Sequence, residues 1–293
     1  MRLIRLAMGA ALVLSTTLTG GAAAAPADGV ELAVHEAGGG TSTVRVPAAQ
    51  LSSMAATLAQ PARPAPEAAG VYRTTNGHMS AYTGDGNVSE CSASVINSPN
   101  RRVLVTAAHC LYRHTESKPW IQTLRFVPGL RPGPTQPERE PVGGWAGATF
   151  VVPKSWTLIP EVKSEHLKWD LGFVVMQDRR DGTRLGDAVP GHGLRVNAPY
   201  GQPTTVVGYP FTSKGNQEFC AGAATRQATY DWHQLPCSFG SGASGGPWLH
   251  DYDANGLGYV IGVSHSLDAN GRDNYSAHFG DLALSLYNYV KDR

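Results

Sequence analysis

Short runs rich in Val, Ile, Thr and aromatic residues recur along the chain, and Gly, Pro, Asn or Asp bounds each run. This pattern is typical of β-strands joined by turns, which the 34 glycines and 20 prolines would supply. The predicted strands are 92–96, 103–107, 121–127, 148–152, 171–176, 204–208, 258–264 and 275–279. Helical periodicity occurs after residue 280, where Asp281 is a candidate N-cap and apolar residues follow at positions 282, 286, 289 and 290. Many short strands followed by one terminal helix predict an all-β sandwich or a pair of barrels.

The first 70 residues contain no aromatic residue and no cysteine, so they hold little with which to build a packed core. Arg2 and Arg5 precede an apolar run from residue 6 to residue 18 and a tract of small residues, a pattern typical of a secretory signal peptide. A membrane-spanning helix needs about 20 apolar residues, which is longer than this run. Alternating Pro and Ala near residue 64 favours extended, unpacked chain. We therefore expect a signal peptide over 1–25, a propeptide or disordered leader over 26–70, and the folded domain over 71–293.

Charged residues make up 16% of the chain and the formal net charge is +1, which excludes broad electrostatic attraction to nucleic acid or anionic lipid. We expect a monomer with no nucleic-acid partner and, in the mature form, no membrane association.

Export would place the four cysteines in an oxidising compartment. No C-x-x-C or other zinc-site spacing occurs among them, so we expect disulfides and neither a metal nor another cofactor. Four cysteines allow three pairings, and pairing neighbours, Cys91–Cys110 and Cys220–Cys237, closes two short loops. The spacing alone does not fix this choice.

Three segments carry candidate chemistry. In the segment GASGG (242–246), Ser244 lies between glycines, and a nucleophilic serine needs a tight turn whose backbone N–H groups face a developing oxyanion. His109 ends a buried-strand pattern, where it would be a rigidly placed general base. Asp170 opens an apolar strand, where a buried carboxylate needs a partner such as an imidazole N–H. Taken singly, the three are also typical of a Gly/Ser loop, a core or metal-binding histidine, and a surface aspartate.

Together the three segments occur in the order His, Asp, Ser, and in this the chain resembles the chymotrypsin-like (trypsin-fold) serine peptidases. The matching blocks are TAAHC at 106–110, DLGFV at 170–174, GASGGP at 242–247 and CSASV at 91–95. Among these peptidases the chain looks most similar to the secreted bacterial branch that includes glutamyl endopeptidases. The resemblance implies two six-stranded antiparallel β-barrels with the site between them, protein or peptide substrates, and a Cys91–Cys110 disulfide.

The resemblance also implies the role of each site residue. Ser244 would attack the scissile carbonyl, His109 would move the proton, and Asp170 would hold the imidazole in the correct tautomer. The N–H groups of Gly242 and Ser244 would form the oxyanion hole. Ser264 matches the serine that contacts the catalytic aspartate in the family, and 264–266 would line the substrate cleft.

Two positions depart from the family's digestive members. Ala243 replaces the aspartate that receives the new N-terminal ammonium, so any zymogen activation must work differently. Ser238 replaces the pocket aspartate, so a preference for Arg or Lys is not expected. His265 and Ser266 together with Ser238 would suit an acidic substrate side chain, whereas Phe239 would narrow the pocket for small or apolar ones.

Three other interpretations are compatible with parts of the sequence. A G-x-S-x-G segment also occurs at the nucleophile elbow of α/β-hydrolase esterases, but only 49 residues follow Ser244, which must hold an acid and a histidine in that fold. A second alternative is an inactive peptidase fold that serves as a binding module. The run 251–256 resembles the opening of a calcium loop, but position 12 is Gly262 rather than Glu, so a turn explains it better.

Overall fold

The structure, a computed structural model, describes residues 29–47, 56–62 and 74–293, so the expected signal peptide over 1–25 lies outside the described residues. The strands in chain order are β1 (Val30–Glu36), β2 (Thr41–Val46), β3 (Ala56–Ala59), β4 (Asn76–Thr83), β5 (Val88–Ile96), β6 (Val103–Thr106), β7 (Ile121–Pro128), β8 (Trp145–Pro153), β9 (Gly172–Met176), β10 (Gly193–Val196), β11 (Gln202–Gly208), β12 (Glu218–Arg226), β13 (Trp232–Leu235), β14 (Pro247–His250), β15 (Tyr259–Leu267) and β16 (Asn274–Ala277). The α-helices are α1 (Gln136–Arg139), α2 (Lys154–Leu158), α3 (Leu185–Ala188) and α4 (Asp281–Val290). Within the described ranges, no helix has the length and apolar character that crossing a membrane requires.

Six strands form the first barrel. They pair in the order β4, β5, β6, β9, β8 and β7, and the β7–β4 pairing closes the ring. Every pairing in this ring is antiparallel. Phe126, Phe150 and Phe173 are fully buried and belong to the core that fills it. The interior positions of the closed ring take the large apolar side chains. Strand β7 pairs only with Trp145 and Ala146 of β8, so the second half of β8 keeps an edge that the ring does not use.

The second barrel closes in the same way through β11, β12, β13, β16, β15 and β14. Val206, Leu235 and Trp248 are fully buried in a separate core cluster inside it. The predicted fold class is therefore confirmed, and each of the eight predicted strands overlaps a barrel strand. Two closed antiparallel barrels also exclude the α/β-hydrolase alternative, which needs a parallel sheet covered by helices.

Helix α4 follows the second barrel but packs on β8 and β9 of the first. Leu286 and Val290 are fully buried, as the periodicity predicted. The N-cap is Gly280, so Asp281 is the first helical residue and lies in the turn where a carboxylate interacts favourably with the helix dipole. At the other end, the Asn100 amide donates hydrogen bonds to the carbonyl oxygens of Val290 (2.7 Å) and Arg293 (2.6 Å).

The described part of the segment 26–70 is not unpacked chain. Strand β1 pairs with the second half of β8, β2 pairs with β1, and β3 pairs with β10, which in turn lies parallel to β15. Leu32 and Val34 are at most 2% exposed. The expectation that this segment lacks packed structure is therefore wrong for the described residues. An existing barrel supplies both the pairing edge and the apolar surface, so a strand without aromatic residues can still be buried there.

Both disulfides join neighbouring cysteines. Cys91–Cys110 joins β5 to the short turn after β6, and Cys220–Cys237 joins β12 to the segment after β13. The first pair is the one that the family resemblance implied, and spacing alone had left both open.

Between β14 and β15 the chain forms the expected turn. The Asp253 carboxylate accepts the backbone N–H groups of Asn255 (2.9 Å) and Leu257 (3.0 Å), which is how an aspartate stabilises a tight loop.

Candidate active site

His109 and Asp170 form a tightly held pair. His109 lies in the 3-10 turn that follows β6, and the Cys91–Cys110 disulfide ties this turn to β5. Asp170 lies two residues before β9, which pairs with β6, so the sheet brings the two residues together. The carboxylate accepts two hydrogen bonds from His109, one from the backbone N–H (2.8 Å) and one from Nδ1 (2.7 Å). The second bond places the imidazole proton on Nδ1 and leaves Nε2 as the proton acceptor.

Burial and mutual attraction oppose each other in this pair. Asp170 is 1% exposed, whereas the side chain of His109 is 32% exposed. Burial disfavours the imidazolium, but the charge and hydrogen bond of Asp170 outweigh it and raise the pKa of His109 above its ordinary value. Burial likewise disfavours the carboxylate, but the charge and hydrogen bonds of His109 outweigh it and lower the pKa of Asp170. The pair is therefore built to stabilise an imidazolium.

The nucleophile loop belongs to the second barrel but is bound to the first. Ser92 on β5 donates its backbone N–H to the carbonyl oxygen of Ser244 (2.7 Å). The hydroxyl of Ser92 donates to the carbonyl oxygen of Gly242 (2.9 Å) and accepts the N–H of Tyr209 (2.8 Å). Gly245 lies directly against Thr106, the last residue of β6. These contacts bring Ser244 to the end of the first barrel that carries His109.

Two of the five backbone N–H groups in the segment 242–246 donate no hydrogen bond to the described residues. The N–H groups of Ala243, Gly245 and Gly246 donate to backbone carbonyls at 3.2, 2.7 and 2.9 Å. Among the residues that the structure describes, Gly242 and Ser244 have no acceptor for their N–H groups. The peptide units that carry these two amides are held through their carbonyl groups, because the carbonyl of Ser241 accepts the N–H of Phe211 (2.9 Å) and the carbonyl of Ala243 accepts the N–H of Gly246 (2.9 Å). These are the two amides for which the sequence predicts a role in an oxyanion hole.

Ser264 lies beside the loop but does not contact Asp170 through a hydrogen bond. Its backbone carbonyl accepts the N–H of Gly245 (2.7 Å), and its hydroxyl accepts the indole Nε1–H of Trp248 (3.0 Å). The family-based expectation for this hydroxyl therefore differs from the structure. The nucleophile loop holds the backbone of Ser264, whose N–H donates to the carbonyl oxygen of Gly246 (2.8 Å), and this backbone places the hydroxyl at the buried indole of Trp248.

A cavity of about 280 Å³ opens beside the nucleophile. It is lined by Phe239, Gly240, Ser241, Ala243, Ser244, Ser264, His265, Ser266, Leu267 and Asn274. Ser264, His265 and Ser266 are thus at the cleft as predicted, and so is Phe239. Ser238 is exposed and does not line the cavity, so the structure does not bring it to the predicted place.

His265 lies at a register shift in β15, between Ser264 and Ser266, which pair with consecutive residues of β16. It is 6% exposed. Its Nδ1 lies 2.8 Å from the hydroxyl of Ser266, and its ring packs edge-on against Trp232 with centroids 4.9 Å apart. Within the described residues its Nε2 has no hydrogen-bond partner. Burial lowers the pKa of His265 to about 4, against the opposing charge of Asp170, so the imidazole is neutral at pH 7.

Sequence reasoning missed two residues of this site. Ser92 fastens the nucleophile loop, and Asn274, which is 2% exposed, exchanges two 2.8 Å hydrogen bonds with the backbone of Phe239 across the cavity wall. Ser92 lies inside the CSASV block, but the resemblance assigns a role there to its neighbour Cys91 alone. Asn274 carries no local signal, because its role depends on β16 lying opposite residue 239.

Residues 91–263 match the family model of the trypsin-like peptidase domain. The protease Anisep from Arthrobacter nicotinovorans has a similar structure, with a TM-score of 0.65 and 25% identity over 76% of this chain and 98% of that one. The thermostable serine protease AL20 from an extremophilic microorganism gives 0.64 and 24% identity over 74% and 97%. A Glu endopeptidase gives 0.58 and 20% identity over 80% and 98%, which shows a shared fold. No curated protein sequence matches this chain.

Proposed function

The chain belongs to the family of trypsin-like peptidase domains, and on that basis we propose that it is a secreted serine endopeptidase. The observation that carries the proposal is the hydrogen-bonded pair of His109 and Asp170 at the end of the first barrel where the Ser244 loop is fastened. The reaction is hydrolysis of a peptide bond through an acyl-enzyme on Ser244.

Each group of the triad has one task in this reaction. The Ser244 hydroxyl attacks the scissile carbonyl carbon while Nε2 of His109 takes its proton. As the C–N bond breaks, the imidazolium gives that proton to the leaving amine, and the acyl group stays on the serine oxygen. Water then attacks the ester while Nε2 of His109 takes its proton, the bond between the acyl carbon and the serine oxygen breaks, and the imidazolium returns the proton to that oxygen as the carboxylic acid leaves. Asp170 fixes the tautomer and stabilises the imidazolium in both halves.

The charge that develops on the carbonyl oxygen needs donors that are already in place. The two unused amides, at Gly242 and Ser244, supply them. Removal of one such donor typically costs about 3–4 kcal/mol of transition-state stabilisation. The preorganised loop therefore accounts for a large share of the proposed catalysis.

We propose that the pocket does not select Arg or Lys and prefers an acidic side chain. No Asp or Glu is among the residues that line the cavity. The neutral imidazole of His265 and the hydroxyl of Ser266 both line the cavity, and both are groups that a carboxyl or carboxylate can pair with. A bound carboxylate would also stabilise the imidazolium and raise the pKa of His265 from its low value.

Secretion is supported by the positively charged, apolar start of the sequence and by two disulfides, which persist in oxidising compartments.

Cleavage of a mixed peptide pool tests activity and specificity together. The expected result is cuts enriched after Glu and Asp, none with the matched Ser244→Ala control, and loss of the acidic enrichment in His265→Gln. If the enzyme is active but its cleavage sites are not enriched after acidic residues, the pocket hypothesis is wrong and the peptidase proposal stands.

A further inference from the structure

The described residues of the segment 29–62, which are 29–47 and 56–62, lie on both barrels. Its first part, β1 with β2, covers the outside of the first barrel along β8. Its second part, β3, extends the second barrel through β10. We propose that the barrels carry a two-part docking surface for this segment, and that the docked segment is a stabilising strap rather than an inhibitory propeptide.

The first half of the surface is apolar and closely packed. Leu32 and Val34 are buried in the same core cluster as the first barrel. His35 is 5% exposed, and its ring stacks on Trp120 with centroids 5.2 Å apart. Beyond the strand, the N–H of Ala37 still donates to the carbonyl oxygen of Ala148 (2.7 Å). A segment held by backbone pairing and buried side chains together contributes to the stability of the fold.

The second half of the surface is polar and reaches both barrels. The carbonyl oxygen of Gln60 accepts the amide of Asn97, just after β5 of the first barrel (2.8 Å). The side chain of the same residue accepts the hydroxyl of Tyr259, at the start of β15 in the second barrel. Ala62 and Gly191, in the connection between the barrels, exchange two backbone hydrogen bonds of 2.9 Å. The strap therefore joins the two halves between which the catalytic groups lie.

The described residues of the strap lie away from the cleft. None of its described residues lines the 280 Å³ cavity beside Ser244. A propeptide that inhibits by blocking the substrate site must contact that site, whereas the described residues of this segment bind elsewhere. Loss of the strap should therefore lower stability and should not release activity.

Leu32→Ala in the full chain tests this, with Ser42→Ala on the exposed face of β2 as the matched control. Deleting a fully buried leucine should lower the melting temperature by about 5–15 °C, while the control stays within about 2 °C. The activity per titrated active site should equal that of the parent chain at 25 °C. An unchanged melting temperature, or a rise in activity per site, overturns the proposal. Val34→Ala gives the same comparison if Leu32→Ala does not fold.

A cut chain tests the docking surface directly. In a Ser244→Ala background, a recognition sequence for a specific protease is inserted after Pro66 and then cleaved. We expect the two fragments to co-elute on size exclusion in native buffer and to separate in denaturant. Separation in native buffer would show that the surface does not hold the segment.

Discussion

The closeness of the nucleophile loop to the first barrel can be tested at one glycine. Gly245 has φ = +79°, and a Cβ placed on it would collide with the side chain of Thr106 and the backbone carbonyl of Ser92 and lie 2.9 Å from the backbone N of Ala107. Gly201 has nearly the same φ, +81°, but a Cβ there would meet nothing within 4 Å. The two positions therefore share the backbone cost and differ in the close approach.

Gly201→Ala should cost about 1–2 kcal/mol, because alanine disfavours the left-handed region. Gly245→Ala should cost that amount and about 1–3 kcal/mol more, because two of the colliding groups are main-chain atoms that cannot rotate away. For a domain of this size the additional cost lowers the melting temperature by roughly 2–12 °C relative to the control. Relief of the collision must move the loop, and a displacement of about 1 Å at Ser244 costs about 100-fold in rate.

The assay is thermal unfolding followed by circular dichroism, together with kcat/KM on a peptide substrate. Gly201→Ala should keep the parent activity, and Gly245→Ala should lose about 100-fold in kcat/KM. Equal melting temperatures and equal activities for the two variants would refute the argument that the loop is packed against β5 and β6.

Four further predictions follow from the site and the buried histidines. Asp170→Asn should lower kcat about 10⁴-fold with a small change in KM, measured by steady-state kinetics; a loss below 10-fold would contradict its proposed role. Because Asp170 raises the pKa of His109, and catalysis needs the neutral imidazole, kcat/KM should decrease as the pH is lowered, with an inflection above pH 6.5. An inflection below pH 6.5 would contradict this prediction. Burial lowers the pKa of His192 and of His233 to about 3, so the unfolded chain binds more protons below pH 6.5. Stability should then decline from pH 6.5 towards 3, by up to about 1.4 kcal/mol per pH unit for each group, and urea midpoints independent of pH would exclude this. Ser92→Ala removes the side-chain hydrogen bonds to two buried main-chain groups and should lower the free energy of unfolding by about 1–3 kcal/mol, measured in urea. An unchanged free energy of unfolding would contradict its role in holding the loop.

The parts of the fold that sequence predicted well are those with a local signal. Strand patterns identified eight of the barrel strands, and periodicity identified α4 within one residue. For these elements a short stretch of chain determines its own conformation, so the pattern is visible without the rest of the molecule. The His109–Asp170 contact joins residues distant in the chain, and it was the family resemblance of the TAAHC and DLGFV blocks that implied it.

The parts that sequence did not predict depend on partners distant in the chain. Strand β1 is buried because it pairs with the edge of β8, and no pattern within residues 26–70 predicts that pairing. Ser264 contacts Trp248 rather than Asp170 because its hydrogen bonds with the nucleophile loop place its hydroxyl at the buried indole. Ser238 is exposed although its position in the motif pointed to the pocket. Side-chain direction at such positions is set by tertiary packing.

The most direct test of the account is labelling of the folded protein with a serine-directed phosphonylating reagent. We predict one label per chain on Ser244, with loss of cleavage of a protein substrate in proportion to labelling, and no label on Ser244→Ala. Absence of label on folded, processed protein would contradict catalysis and favour a binding module. A labelled protein that cleaves short-chain esters but no protein substrate would contradict the peptidase proposal.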